Sequence, residues 1–365
     1  MTLERIVKPH IRGLAPYQPG KPPEELEREL GIEGAIKLAS NESPIGPSPL
    51  AVAAVRDALA SVHRYPDGAC FELRAALARR FSVAESQLVF GCGADELLEL
   101  VAKAFLGADD EAVFAWPSFA MYPIVVKGMG ATPVMVPLDG ALVHDLGAMR
   151  AAITDRTRVV FVCNPNNPTG TSVGAAAFDA FVGSLPAELV LVVDEAYREF
   201  ARRADFPDSI AWARRRPGTI VMRTFSKIYG LAGLRVGYGI CDPELADYLN
   251  RARHPFNVNR LAEVAAVAAL DDDAHAERSR AVNAEGAEYL SRELAALGLE
   301  VWPTDANFLL VRGGEGLFDR LQREGVIVRP LAGFGMPDCI RVSIGLPEEN
   351  ERLVKTLARL RKDAS

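Results

Sequence analysis

A single lysine, Lys227, lies in the stretch TFSKIYGLAGLR (224–235), between the apolar runs TIVM and VGYGI. Lysine is rarely buried without a partner. At the end of a strand-like run it either faces water from a loop or supplies an amine that chemistry requires. Four other strand-like runs end in unusual residues. LVLVVDEAYREF reaches Asp194, with Tyr197 three positions on, and RVVFVC runs into the polar turn NPNNPTG (164–170). SQLVFG ends in GCGADE (91–96), which opens a helical pattern, and EAVFAW ends in PSFAMYP, with Phe119 and Tyr122. Each has an ordinary explanation when taken alone. A post-strand aspartate caps a helix, paired prolines among asparagines make turns, and Asp95 and Glu96 suit the positive end of a helix. GCGADE is not a dinucleotide fingerprint, because Glu96 stands where GxGxxG needs its last glycine, and no GxxxxGK[ST] occurs. Cys92 and Cys163 read as packing residues, since no histidine is placed to activate them.

Ligands of α/β sheets gather at the carboxyl ends of the strands, and all five of these ends carry polar or aromatic groups. One ligand would use them together. Its phosphate would take helix N-terminal amides, Ser226 and Arg235. Its ring nitrogen would be held protonated by an aspartate, its ring oxygen would take hydrogen bonds from Asn and Tyr, and its aldehyde would condense with a lysine. That description fits pyridoxal 5′-phosphate.

The elements that must position these groups follow from the pattern. Strand-like runs at SQLVFG, EAVFAW, TPVMVPL, RVVFVC, LVLVVDE, TIVMRTF and LRVGYGI mostly lack period-2 alternation, as strands buried on both faces do. Helical spacing separates them, as in ADELLELVAKAFLG and GAAAFDAFVGSL. The alternation predicts an α/β fold with a mainly parallel seven-stranded sheet between helices. Three divisions are expected: an N-terminal arm (1–45) packing with a small domain, a large domain (46–258), and a smaller α+β domain (259–365). The last opens with one long helical stretch, NRLAEVAAVAALDDDAHAERSRAVNAEGAEYLSRELAALG, and ends in VWPTDANFLLVR, GVIVRPL, IRVSIG and PEENERLVKTLARLRK.

The 365 residues carry a net charge of −7, which argues against nucleic acid as a partner. Five widely spaced cysteines form no CxxC pattern, and the five histidines form no ligand spacing, so no metal is expected and a reducing, cytoplasmic setting is. No apolar run approaches the ~18 residues of a membrane span, and the N-terminus lacks the apolar core of a signal peptide.

The sequence resembles the fold-type I pyridoxal-phosphate aminotransferases of class II over essentially its whole length: NPNNPTG, DEAY and SKxxGLAGLRVGY occur in that family's order and at its intervals. The resemblance implies that Lys227 bonds the cofactor and shuttles the proton, and that Asp194 pairs with the ring nitrogen. It places Tyr197 and Asn167 at the ring hydroxyl, and Phe119 on the ring face where many members have tyrosine. Ser226, Arg235 and the backbone at Ala94 and Asp95 would hold the phosphate, joined by Tyr65 of HRYPDG from the partner subunit of a homodimer. PYQPGKP, IKLASNESPIGPSP, RYPDG, VRP and IRVSIG place the chain nearest the branch that uses histidinol phosphate as amine donor. That implies Tyr17, Asn41, Arg329 and Arg341 as substrate-binding residues, with 2-oxoglutarate as acceptor. The NES of this chain departs from the NEN of the branch. Aromatic amino-acid aminotransferases share nearly every motif quoted, and threonine-phosphate decarboxylases lie close by; both stay open at this point.

Overall fold

The computed structural model describes residues 3–362. Seven strands form the larger sheet: β2 (Leu88–Gly91), β3 (Glu111–Trp116), β4 (Thr132–Pro137), β5 (Thr157–Cys163), β6 (Val190–Asp194), β7 (Thr219–Thr224) and β8 (Gly237–Ile240). All seven strand-like runs of the sequence are in it. Their order is β2-β8-β7-β6-β5-β3-β4, and every pairing is parallel except the two made by β8.

The missing alternation has a simple cause. Along β5, Val159 and Phe161 pack into one apolar cluster while Val160 and Val162 pack into another on the opposite face. Along β6, Val192 and Leu191 divide in the same way. Both faces carry helices, so both sets of alternate residues are apolar.

A second sheet has five strands in the order β1-β11-β12-β10-β9. They are β1 (Ile36–Leu38), β9 (Glu300–Val301), β10 (Phe308–Arg312), β11 (Val326–Pro330) and β12 (Cys339–Ser343). β1, not foreseen from the sequence, pairs parallel with β11, so the arm enters the C-terminal sheet as an edge strand.

The long helical stretch is two helices, Arg260–Leu270 and Asp273–Ala296. The break follows from Asp272, whose carboxylate accepts from the His275 amide at 3.1 Å and starts the second helix. The first of the two packs against the helices Pro49–Ala58 and Phe71–Phe81.

Candidate active site

The reversed direction of β8 builds the site. β2, β5, β6 and β7 end at one edge of the sheet, and β8, running the other way, begins there: Gly237 is the cross-strand partner of both Gly91 and Thr224. Residues that precede β8 therefore meet residues that follow its neighbours. Ser226 and Lys227 follow β7, Arg235 precedes β8, Ala94 and Asp95 follow β2, Asn167 follows β5, and Asp194 closes β6. All of them, with Phe119, Tyr197, Tyr17, Asn41 and Arg341, line one cavity of ≈ 240 Å³.

Glycine makes the closeness of this edge achievable. A Cβ at Gly237 would lie 2.5 Å from the Ala94 nitrogen, and one at Gly93 would lie 2.3 Å from Arg235 Nη2. The amides that open helix Ala94–Phe105 and the Arg235 guanidinium thus close around a cup that has room for an anion. Arg235 donates to the Ala232 carbonyl at 3.2 Å and makes longer contacts to Ser226 Oγ at 3.5 Å and Asp95 Oδ2 at 3.4 Å.

Lys227 projects into the cavity, where Nζ donates to the Ser40 carbonyl at 3.1 Å. Loss of hydration, reinforced by the Arg341 charge, lowers its pKa from 10.5 to about 8. Asp194 is buried, and burial raises its carboxyl to about 6. Two donors oppose that rise: the Tyr122 hydroxyl at 2.8 Å and the Ala196 amide at 3.2 Å. Tyr122 does not line the cavity, and the sequence alone assigns it no role. It sits three positions after Phe119, and the two rings meet edge-to-face with centroids 5.7 Å apart. That i, i+3 spacing at the start of helix Met121–Gly128 was the legible sign.

Tyr197 has its hydroxyl among amides. Asn41 Nδ2 donates to it at 3.0 Å, and Asn167 Nδ2 lies 3.4 Å away. Asn41 is 1% exposed and has φ 55°, a left-handed conformation held by Ser343, whose Oγ accepts from the Asn41 amide at 2.8 Å and donates to Asn41 Oδ1 at 3.0 Å. Arg341 donates to Asn167 Oδ1 at 2.5 Å and to the Ala39 carbonyl at 2.6 Å, and its buried Nε has no partner. Burial lowers its pKa to about 10.

Arg329 and Tyr65 lie outside the cavity lining. Arg329 is the cross-strand partner of Arg341, sits over the Tyr17 ring at 5.2 Å, and donates to the Gln18 carbonyl. Directly opposed like charges repel, and neither guanidinium has a carboxylate within ion-pair distance among the described residues, so the pair suits an anion. Tyr65 is 83% exposed and stacks on Phe256. Cys163 lines the cavity wall, buried, with its thiol pushed up by desolvation, whereas Cys92 is exposed and not the packing residue expected.

This geometry fits pyridoxal 5′-phosphate: a two-glycine anion cup, an amine with lowered pKa, and a buried carboxylate with an orienting donor share one cavity. Comparison with known proteins agrees. The family model for aminotransferase class I and II matches residues 33–357. The histidinol-phosphate aminotransferase of Moorella thermoacetica is 49% identical over 354 residues, covering 96% of this chain and 92% of that protein. Histidinol-phosphate aminotransferase 2 of Pseudomonas aeruginosa is 50% identical over 360 residues, covering 97% of each. Among solved structures, the histidinol-phosphate aminotransferase of Sinorhizobium meliloti in complex with pyridoxal-5′-phosphate superposes with TM-score 0.91 at 31% identity, covering 98% of both chains. Site geometry, sheet order and sequence thus lead to one conclusion: this chain is a member of the aminotransferase class I and II family, of fold type I, and uses pyridoxal phosphate.

Proposed function

We propose that the protein transfers the amino group of histidinol phosphate to 2-oxoglutarate, giving imidazole-acetol phosphate and glutamate, a step of histidine biosynthesis. The observation that carries the substrate reading is the Arg329–Arg341 cross-strand pair, two opposed cations of which Arg341 lines the cavity that contains Lys227. The relatives named above support it over nearly their full length.

When bound, pyridoxal phosphate withdraws electrons from the amine-bearing carbon of the donor. The chain's residues do the rest. Ser226, Arg235 and the amides at Ala94 and Asp95 would hold its phosphate, and Phe119 would pack on its ring. Asp194, whose ionised form Tyr122 and Ala196 favour, would keep its ring nitrogen protonated. Asn167 and Tyr197 would take its ring oxygen. Lys227 Nζ, whose pKa of about 8 leaves a substantial neutral fraction near physiological pH, would take the proton from the donor's amine-bearing carbon and deliver it to the cofactor carbon that began as the aldehyde. Tyr17, Arg329 and Arg341 bind the donor's phosphate, with Asn41 beside the amine. The fork of Arg341 fits either a phosphate or the carboxylate of the oxo acid.

Two further parts belong to this reading. The protein acts as a homodimer in which Tyr65 reaches the partner's phosphate site; exposed Tyr65, Phe71, Val62 and Leu59 support that. It works in the cytoplasm, which suits five free cysteines. The division into arm (1–45), large domain (46–258) and small domain (259–365) follows the same reading. The test is a donor panel on purified protein. Histidinol phosphate is expected to exceed phenylalanine in kcat/KM by at least about tenfold, and Lys227→Ala to abolish turnover. Preference for phenylalanine would redirect the substrate reading to aromatic amino acids.

A further inference from the structure

Behind the cavity, the turn that would hold phosphate is wired to the loop that carries Tyr65 by side chains the mechanism does not use. Glu96 Oε2 accepts from the Cys92 amide at 2.5 Å and from Asn257 Nδ2 at 2.6 Å. The same Asn257 Nδ2 reaches the Phe90 carbonyl at 3.0 Å, so one amide group grips both the end of β2 and the carboxylate that shapes the following turn. On its other side, Asn257 Oδ1 accepts from Arg253 Nη1 at 2.7 Å, and Arg253 Nη2 donates to the Gly68 carbonyl at 2.9 Å. Gly68 lies three residues after Tyr65, in a loop folded on Asp67, whose carboxylate takes the Ala69 and Phe71 amides at 2.9 and 2.8 Å.

A second observation ties the same two places. Phe256, the neighbour of Asn257, has φ 56°, a backbone region that an aromatic residue disfavours. Such a conformation persists where the surroundings over-determine it. Here the surroundings are the Asn257 hydrogen bonds on one side and the Phe256 ring stacked on Tyr65 on the other, with centroids 4.8 Å apart and planes at 20°.

We propose that Asn257 is a positioning residue shared by two active sites. Through Glu96 it shapes the phosphate turn of its own subunit. Through Arg253 and Phe256 it sets the loop that lends Tyr65 to the partner's site. The proposal rests on the homodimer reading above. It also gives a task to Glu96, a carboxylate placed beside an anion site: its oxygen is occupied by two donors.

Mixed dimers separate the two arms. One subunit carries Lys227→Ala, so only the other site captures cofactor covalently, and visible absorbance reads that live site. The dissociation constant is titrated for pyridoxal 5′-phosphate and, in parallel, for pyridoxal, which lacks the phosphate. Asn257→Ala on the live chain is expected to weaken pyridoxal 5′-phosphate about tenfold, and the same substitution on the silent chain to do likewise, as loss of a charge-assisted contact would. Pyridoxal affinity stays unchanged in both. Glu96→Ala acts only from the live chain, Glu96→Gln, which keeps an acceptor, is near wild type, and Arg253→Ala acts only from the silent chain. If Asn257→Ala works from the live chain alone, or weakens pyridoxal equally, the sharing is overturned while the dimer stands. If the unmodified protein sediments as a monomer, the sharing and the dimer reading fall together.

Discussion

Replacing Tyr122 with phenylalanine isolates one hydrogen bond. The ring stays packed, stacked on Phe161 at 4.9 Å and edge-on to Phe114 and Phe119, each at 5.7 Å, so the change removes an oxygen without leaving a large void. The lost donor is the strongest influence opposing the desolvation of Asp194. A hydrogen bond to a buried charged group contributes about 1.5–3 kcal/mol, and about 1.4 kcal/mol is one pKa unit. The Asp194 carboxyl, now at about 6, should therefore rise by about one to two units. At pH 7 the ionised fraction falls from about 90% to between about 50% and 10%. The sign is set by the raised value: a higher pH is needed to ionise the carboxylate, so the deficit closes as pH increases. Cofactor affinity of Tyr122→Phe, measured by fluorescence titration, is expected to be about two- to tenfold weaker at pH 7 and to approach parity by about pH 9. A ratio that stays within experimental error of one at pH 7, or a deficit that does not change with pH, would refute the reasoning.

Three more predictions follow from the same geometry. Gly237→Ala drives a Cβ to 2.5 Å from the Ala94 nitrogen and should weaken phosphate-dependent cofactor binding at least about tenfold, read by equilibrium titration; unchanged affinity would mean the turn yields freely. Arg223→Met strips Glu195 of the guanidinium held 2.7 Å away and leaves a fully buried carboxylate unpaired. Destabilisation of about 3–5 kcal/mol in urea unfolding is expected, with most of it recovered in Glu195→Leu/Arg223→Met, and a loss below about 1 kcal/mol would count against the pair. In cofactor-free protein, acylation of Lys227 read by mass spectrometry should rise through a midpoint near pH 8, because the lowered pKa frees the amine earlier, and Arg341→Met should move that midpoint upward; a wild-type midpoint near 10 would contradict the assigned environment.

What the sequence made legible is local. Lys227, Asp194, Ser226 and Asn167 each stand just after an apolar run, so their common edge follows once the runs are accepted as parallel strands. Tyr122 escaped because its partner, Asp194, is 72 residues away. Glu195 lies inside DEAY, between Asp194 and Tyr197, yet its partner Arg223 becomes visible only when β6 and β7 are known to be neighbours. β1 has three residues, too few to show a period, and its identity depends wholly on β11. Asp272 was a readable helix start, masked by the unbroken run of helix-forming residues around it. The Asn41–Ser343 contact spans 302 residues, and no local pattern announces it.

Strand β1 also fixes the order in which the molecule can be completed. A chain emerging from the ribosome presents Ile36–Leu38 about 290 residues before its partner Val326–Val328. The two-glycine cup draws on residues 91–237 of the larger sheet and on Asn257, which braces its turn through Glu96. The wall holding Asn41 and Arg341 waits for Ser343. The residues of the two-glycine cup are thus made well before the wall opposite them, and a chain stopped ahead of β12 lacks both Arg341 and the Ser343 hydroxyl that fixes Asn41.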